Sequence, residues 1–434
     1  MINQKLISAA DYAVKALEGK GVTKYSFSAA SARKTEFNID GGEFSLLRTV
    51  FNDGVALTVF IDGKKGTAST NSLTDESIDA AVSDAVTAAI SGMPDEAWDI
   101  SPYTEPRHFV SGPRDCDKAA FFDAIERLRA DITEKYPLIL IEQLVADHKF
   151  SEGIFVNSNG VRFTTEKGCY GLDLMFSAHD NDNASSFFGS GVRFDSLDKP
   201  LLTLGSLDSD LAAVEKQIYT RAFEGKFVGT ALLSPAMVAE FMDMALGNFV
   251  SDSVIIEGIS PWKDALGTQV AHPSLTVELA PSNEAIVGGE SFTADGFVSE
   301  DFAVIKDGVL QSFLLSLYAA NKTGKEREKN TSGALVIPEG DTPLSELIAS
   351  IDKGILLGRF SGGQPGTNGD FSGVAKNSFL IENGKITDAV SEIMVSGNLA
   401  DMLKNICGIS KERIADGATL LPYISFNGIT VSGK

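Results

Sequence analysis

Asn-Gly and Asp-Gly pairs punctuate this sequence between short apolar runs, at Asp62-Gly63, Asn159-Gly160, Asp307-Gly308, Asn383-Gly384 and Asn427-Gly428. Such a pair tolerates positive φ at both central positions, which is what a two-residue hairpin requires, so each one predicts two antiparallel strands joined tightly. The runs around them read as strands at 55–61, 66–71, 138–146, 154–157, 161–165, 170–178, 302–305, 309–317, 378–381 and 423–426, with earlier candidates at 24–29 and 34–38. A chain built this way is committed to antiparallel sheet, and any helices must pack on its faces.

Helices are predicted where apolar residues recur at three and four. Ile2, Leu6, Ala10, Ala13 and Leu17 make one such stripe, stopped at Gly19-Lys20-Gly21; Thr74 caps a second that carries Ile78, Ala81, Val82, Ala85, Ala89 and Ile90. Further helices are expected at 117–135, 207–223, 235–246, 343–351 and 399–406. The segment 91–116 holds Pro94, Pro102, Pro106 and Pro113 with little periodicity, and reads as a surface connection that subdivides the first half. The expected fold class is α+β: an N-terminal antiparallel-sheet and helix region over 1–225, then a β-rich C-terminal domain over 226–434. No period of 20 to 50 residues and no heptad run is present, which removes solenoids and coiled coils.

Composition excludes several functions. With 37 Lys+Arg against 59 Asp+Glu the net charge is −22, so a surface for nucleic acid is not expected. No stretch approaches the 18 or more apolar residues of a spanning helix, so no membrane association is expected either. Cys116, Cys169 and Cys407 are odd in number and scattered, and no cationic leader precedes an apolar core at the start; a reducing, cytoplasmic setting is the expectation.

Chemistry is hard to find. His108, His148, His179 and His272 are never closer than 31 residues (179 − 148), too far for the two imidazoles within one helical turn that a zinc motif needs, and each reads as a hydrogen-bonded loop or strand residue. There is no G-x-S-x-G elbow, P-loop or dinucleotide fingerprint. The glycine-rich run 358–373 either presents backbone amides to an anion or joins two strands through turns. Cys407, near the end of a predicted helix with no histidine close in sequence, reads as a small apolar residue.

Several separate blocks in the second half carry a resemblance. They are Ala265-Leu266-Gly267-Thr268-Gln269-Val270, Asp295-Gly296, Ile305-Lys306-Asp307-Gly308-Val309-Leu310, Leu314-Leu315-Ser316-Leu317-Tyr318-Ala319-Ala320, Gly369-Asp370-Phe371-Ser372-Gly373, Phe379-Leu380-Ile381-Glu382-Asn383-Gly384 and Ser396-Gly397-Asn398-Leu399. In order and spacing the chain resembles the TldD/PmbA family, once described as modulators of DNA gyrase and classed among metallopeptidases. The match is good over about 227–434 and looser before it. In the TldD branch a helix after a Leu-x-Pro turn bears an H-E-x-x-x-H motif, whose histidines bind zinc while the glutamate works on water. Counting from Leu233-Ser234-Pro235, that motif falls on Asp243-Met244-Ala245-Leu246-Gly247-Asn248, so Asp243 and Asn248 stand for the histidines and Met244 for the glutamate. The family's cysteine ligand finds no match, since Cys407 comes too early.

The resemblance is therefore to the PmbA branch, also called TldE. It implies a subunit without catalytic or metal-binding residues of its own, paired with a TldD-like subunit that carries the zinc and degrades unfolded or modified peptides. Alone, such a chain is expected to form a homodimer. Gly362, Gly363, Asp370 and Phe371 are the residues expected to meet peptide or partner. The alternative is a stand-alone protein-binding modulator, of DNA gyrase or of a toxin-antitoxin pair, without proteolysis.

Overall fold

The computed structural model describes residues 3–391 and 393–433; Ile2 of the first predicted stripe lies outside the described residues. The first half is one eight-stranded sheet: β1 (Lys24–Asp40), β2 (Glu43–Ile61), β3 (Lys64–Thr70), β4 (Arg107–Ser111), β5 (Ile139–Asn157), β6 (Arg162–Asp180), the stub β7 (Asn183–Ala184) and β8 (Phe188–Phe194). They run in the order β3-β2-β1-β5-β6-β4, with β7 and β8 also on β6. Four strands are far longer than expected. Residues 24–29 and 34–38 are parts of the single strand β1, which keeps register with β5 from Ser26↔Asn157 to Asp40↔Gln143. One face of β1 serves two cores: Phe27 and Ala29 pack under α1 (Gln4–Gly19) and α2 (Asp75–Ser91), whereas Phe37 and Ile39 pack under α3 (Lys118–Lys135).

The connection 91–116 is not wholly irregular, because β4 pairs parallel with the edge of β6 from Arg107↔Phe163 to Ser111↔Lys167. The helix expected over 207–223 is shorter. As α4 (Leu207–Glu215) it buries Leu207, Leu211 and Val214 against the first sheet, and the chain then leaves helical geometry so that Arg221–Ala222 can join the second sheet.

That second sheet has fourteen strands. Lys226–Leu233 lies between Leu420–Ser432, antiparallel, and Lys353–Leu357, parallel. Leu420–Ser432 also pairs with Ile393–Asn398 and with Ile406–Ala415. The turns Asp62-Gly63, Asp307-Gly308 and Asn383-Gly384 each have positive φ at both residues and join antiparallel neighbours. Asn427-Gly428 does something else. It sits inside Leu420–Ser432 where Gly229↔Ile429 is followed by Ala231↔Phe426, so two residues face one and the positive φ of Gly428 forms a bulge, not a hairpin. Residues 309–317 also divide: Val309–Leu310 is strand, and Ser316 caps a helix at Leu317–Thr323.

Inside this half lies helix α5 (Pro235–Phe249), whose Val238, Phe241, Met242, Ala245, Leu246 and Phe249 are buried. Among the described residues no helix is long and apolar enough to cross a membrane.

Candidate functional site

Strand Lys226–Leu233 ends at Ser234, and Pro235 opens α5. A proline there costs no hydrogen bond, since the first amides of a helix lack intrahelical partners anyway. With 3.6 residues per turn the buried side chains occupy one side of α5, and Asp243, Met244, Gly247 and Asn248 come round on the other. Asp243 and Gly247 are exposed; Met244 and Asn248 are half-buried. These four, with Gln364 and Pro365, line an open recess of about 380 Å³.

The wall of the recess is held by its own hydrogen bonds. Arg359–Ser361 and Asp370–Lys376 form an antiparallel pair, and the intervening segment folds back on itself through Gly366 N to Asp370 O and Gly369 N to Gly366 O, both 2.8 Å. Asn398 Nδ2 donates to Asn368 O and to Asp370 Oδ1 at 2.9 and 2.8 Å, and Asn248 Nδ2 donates to Gly366 O at 3.0 Å, tying the loop to α5. Gly369 has φ +89°, and a Cβ there would lie 2.8 Å from Phe249 Cζ, so the close approach to the helix depends on glycine.

The electrostatics are those of carboxylates short of partners. Burial pushes the Asp243 carboxyl above its ordinary value, although the side chain reaches solvent at the mouth of the recess. One turn earlier Glu240 is also raised, first by burial and then by Asp243, against the lowering effect of Arg359. Zinc needs three or four converging nitrogen, sulfur or carboxylate donors at about 2.0–2.3 Å. Asp243 offers one carboxylate, Asn248 offers only a neutral amide oxygen, its Nδ2 being bonded to Gly366 O, and Met244 has only a thioether, which suits zinc poorly. Among the described residues no three His, Cys, Asp or Glu side chains are grouped so that they could hold a metal ion. The donor set does not fit zinc.

The other expected site residues separate. Phe371 is corrected from a contact residue to a core residue: it is 4% exposed and its ring meets Phe241 at 5.2 Å and Phe360 at 5.9 Å, because alternation along its strand turns it inward. Asp370 is exposed, but the amides of Asn398 and Asn368 hold its carboxyl below the usual range and engage it in the loop. Gly363 faces its own hairpin, where a Cβ would come within 1.9 Å of Ser372 O, whereas Gly362 borders open space. Gln364 and Pro365, which form the wall, were not singled out. Their signal was available in the run, since the residues bearing side chains are the ones that can project from a glycine-rich turn.

Each histidine has a local partner: His108 Nδ1 with Thr164 Oγ1, His148 Nε2 with Pro113 O, His179 Nε2 with Ser177 Oγ, and His272 Nδ1 with Ser274 Oγ. The three cysteines are free; Cys407 is exposed at the start of a strand, with a thiol raised by burial of its surroundings and therefore weakly nucleophilic.

Comparisons with known proteins agree along the whole length. Residues 225–433 match the family model described as the PmbA/TldA metallopeptidase C-terminal domain, and residues 28–89 match PmbA/TldA metallopeptidase domain 1. The chain is 27% identical to the "Metalloprotease PmbA homolog" of Haemophilus influenzae, over 98% of this chain and 96% of that protein. It is 26% identical to "Metalloprotease PmbA" of Escherichia coli O157:H7, over 96% and 92% respectively. In three dimensions it superposes on the crystal structure of TldE from Thermococcus kodakarensis with a TM-score of 0.83 at 18% identity, covering 98% of this chain and all of that one.

Proposed function

Because the chain belongs to the PmbA/TldD metallopeptidase family, we propose that it is the PmbA/TldE-like, non-catalytic half of a protease whose zinc resides in a TldD-like partner. One observation carries this reading: the helix that would bear the metal motif offers Asp243, Met244 and Asn248, and among the described residues no three His, Cys, Asp or Glu side chains are grouped to hold a metal ion. A bound zinc would act as a Lewis acid and activate water, and a chain without the ligands or the glutamate cannot supply that step.

What remains for this chain is to bind and to enclose. The recess beside α5 is a concave surface with one carboxylate in its lining and a hydrogen-bonded wall, suited to receive a projecting element of a related subunit or of a peptide. A β-rich scaffold also offers backbone hydrogen bonds to an extended peptide, which grip without strict choice of side chain. Related subunits commonly share one two-fold mode of association, so the isolated chain is expected to form a homodimer through the same face.

The test is co-expression with an HExxxH-bearing homologue from the same source. The expected result is a one-to-one complex that contains zinc and cleaves unfolded peptides, with neither zinc nor cleavage in this chain alone. Stoichiometric zinc and chelator-sensitive cleavage by this chain alone would overturn the proposal. Recovery from native cells with other proteins only, never with such a homologue, would favour a stand-alone modulator.

A further inference from the structure

At the other end of α5, roughly 12 Å along the axis from Asp243 at 1.5 Å per residue, the seam between α4 and the second sheet encloses a cavity in two lobes. The larger, about 220 Å³, is mainly apolar, with Val214, Leu232, Ile348, Leu356 and Phe379 in its wall. The smaller, about 170 Å³, is more polar, and Phe188, Asp210, Ser234 and Tyr423 line both. An apolar chamber with a few convergent polar groups is the usual form of a small-molecule site.

The charged groups in the lining are of one sign. Asp210 accepts from Ser190 Oγ at 2.9 Å and Ser206 Oγ at 2.7 Å, and both bonds fall on Oδ2. Among the described residues no lysine or arginine offsets its charge, and burial raises the carboxyl to about 6. Asn377, 7% exposed, lines the larger lobe; its Nδ2 donates to Gln217 Oε1 at 2.8 Å, but its Oδ1 is buried without a partner. A buried acceptor left unsatisfied costs on the order of 1–3 kcal/mol. Asp416, in the smaller lobe, is saturated by the amides of Ala418 and Thr419 and the Thr419 hydroxyl. The cavity therefore carries carboxylates and an orphan acceptor, with neutral hydroxyls such as those of Ser234 and Tyr423 but no lysine or arginine in its lining.

We infer that this seam cavity binds a small apolar ammonium compound, with its charged nitrogen at Asp210 and its apolar body in the larger lobe beside Asn377. An anion would meet two carboxylates and an orphan carbonyl oxygen, and a neutral hydrocarbon would leave Asp210 uncompensated. A cavity of about 150 Å³ holds a benzene ring, so the larger lobe takes a phenyl or branched aliphatic body. A free amine and the amino terminus of a peptide with an apolar first residue share this chemistry.

The test is calorimetric titration of the full chain with phenethylamine, 2-phenylethanol and phenylacetate, and with a Phe-initiated tetrapeptide. The expected order places the amine at least about tenfold tighter than the alcohol, with the acid weakest. Asp210→Asn, isosteric and able to keep both serine contacts, is expected to bring the amine to the level of the alcohol. Ala213→Leu, which fills part of the larger lobe from a helix position, is expected to weaken all three. Binding of the tetrapeptide as well as the amine assigns the site to peptide ends; binding of the amine alone assigns it to a free small molecule. The inference is overturned if no probe binds at millimolar concentration, if the alcohol or acid binds as tightly as the amine, or if Asp210→Asn leaves the preference unchanged.

Discussion

The indole of Trp98 stacks on the phenol ring of Tyr318, centroids 3.8 Å apart and planes 24° from parallel, and this contact joins the two halves of the chain. Lys65 Nζ lies 4.4 Å from the centre of the same indole. Beside it Asp95 accepts from Lys322 Nζ at 2.7 Å and from the Tyr318 hydroxyl at 2.9 Å, and Asn321 Nδ2 donates to Ala97 O at 3.0 Å. The Lys322 ammonium, with the Ala97 amide and the Tyr318 hydroxyl, holds the Asp95 carboxyl down to about 2, so this latch stays charged through ordinary acid. The segment expected as a surface connection thus also supplies one clasp between the two halves of the chain.

Trp98→Ala is expected to destabilise the protein by about 1–2 kcal/mol through loss of the stacked pair and the cation contact. Urea unfolding is the measurement. The two halves should also unfold less cooperatively, and a single unshifted transition would show that the seam is held elsewhere.

Glu328 is 8% exposed, and its carboxyl is pushed up to about 8, mainly by burial and then by the charges of Asp252 and Asp295, with Glu290 adding and Arg327 opposing. An unfolded chain releases this proton near 4.5, whereas the native state keeps it until about 8. Native stability should therefore fall as pH rises across that window, by an amount on the order of 2–4 kcal/mol, and carry no such penalty below it. Glu328→Gln should flatten the profile and exceed the parent in stability at pH 8. Thermal or urea unfolding at pH 5, 6.5 and 8 checks this; identical slopes would contradict it.

Two glycines of the same loop should respond differently. Gly369→Ala combines positive φ with a collision against Phe249, and is expected to cost about 2–3 kcal/mol and to loosen the recess wall. Gly362→Ala, also at positive φ but with nothing within 4 Å, is expected to cost about 1 kcal/mol. Equal costs in urea titrations would mean that backbone strain alone, and not the approach to α5, sets the requirement for glycine.

Gly247 faces the recess with nothing within 4 Å of a Cβ. Gly247→Ala should stabilise α5 by about 0.5–1 kcal/mol. Gly247→Trp should leave the fold intact by circular dichroism yet abolish co-purification with a TldD-like subunit and the cleavage that depends on it. Wild-type assembly by the tryptophan variant would place the partner elsewhere.

The hairpins were legible because Asp62-Gly63, Asp307-Gly308 and Asn383-Gly384 need little beyond their own backbone preferences. Asn427-Gly428 has the same preferences, but whether a positive-φ pair turns the chain or bulges it depends on Lys226–Leu233 lying alongside, which no local pattern records. β1 was read as two pieces because 30–33 lacks apolar alternation, being half-solvated between the two helical layers. The shortening of α4 follows from the pairing of Arg221–Ala222 with Val390 and Ser391, a contact across 169 positions (390 − 221). At the site, Asp243, Met244 and Asn248 could be named only through the family register of Leu233-Ser234-Pro235, since a carboxylate, a thioether and an amide form no motif of their own. Asp210, Asn377 and Tyr423 were out of reach, because only tertiary folding brings those three segments around one cavity.

The strand Leu420–Ser432 binds three long neighbours whose own segments precede it in the chain. During synthesis Lys226–Leu233 and Ile393–Asn398 must wait, with bare amides and carbonyls along one side, until those thirteen residues clear the ribosome. Translation that stalls short of residue 420 would release a polypeptide with an unpaired seam down the middle of its larger sheet, a species suited to chaperone capture or to aggregation.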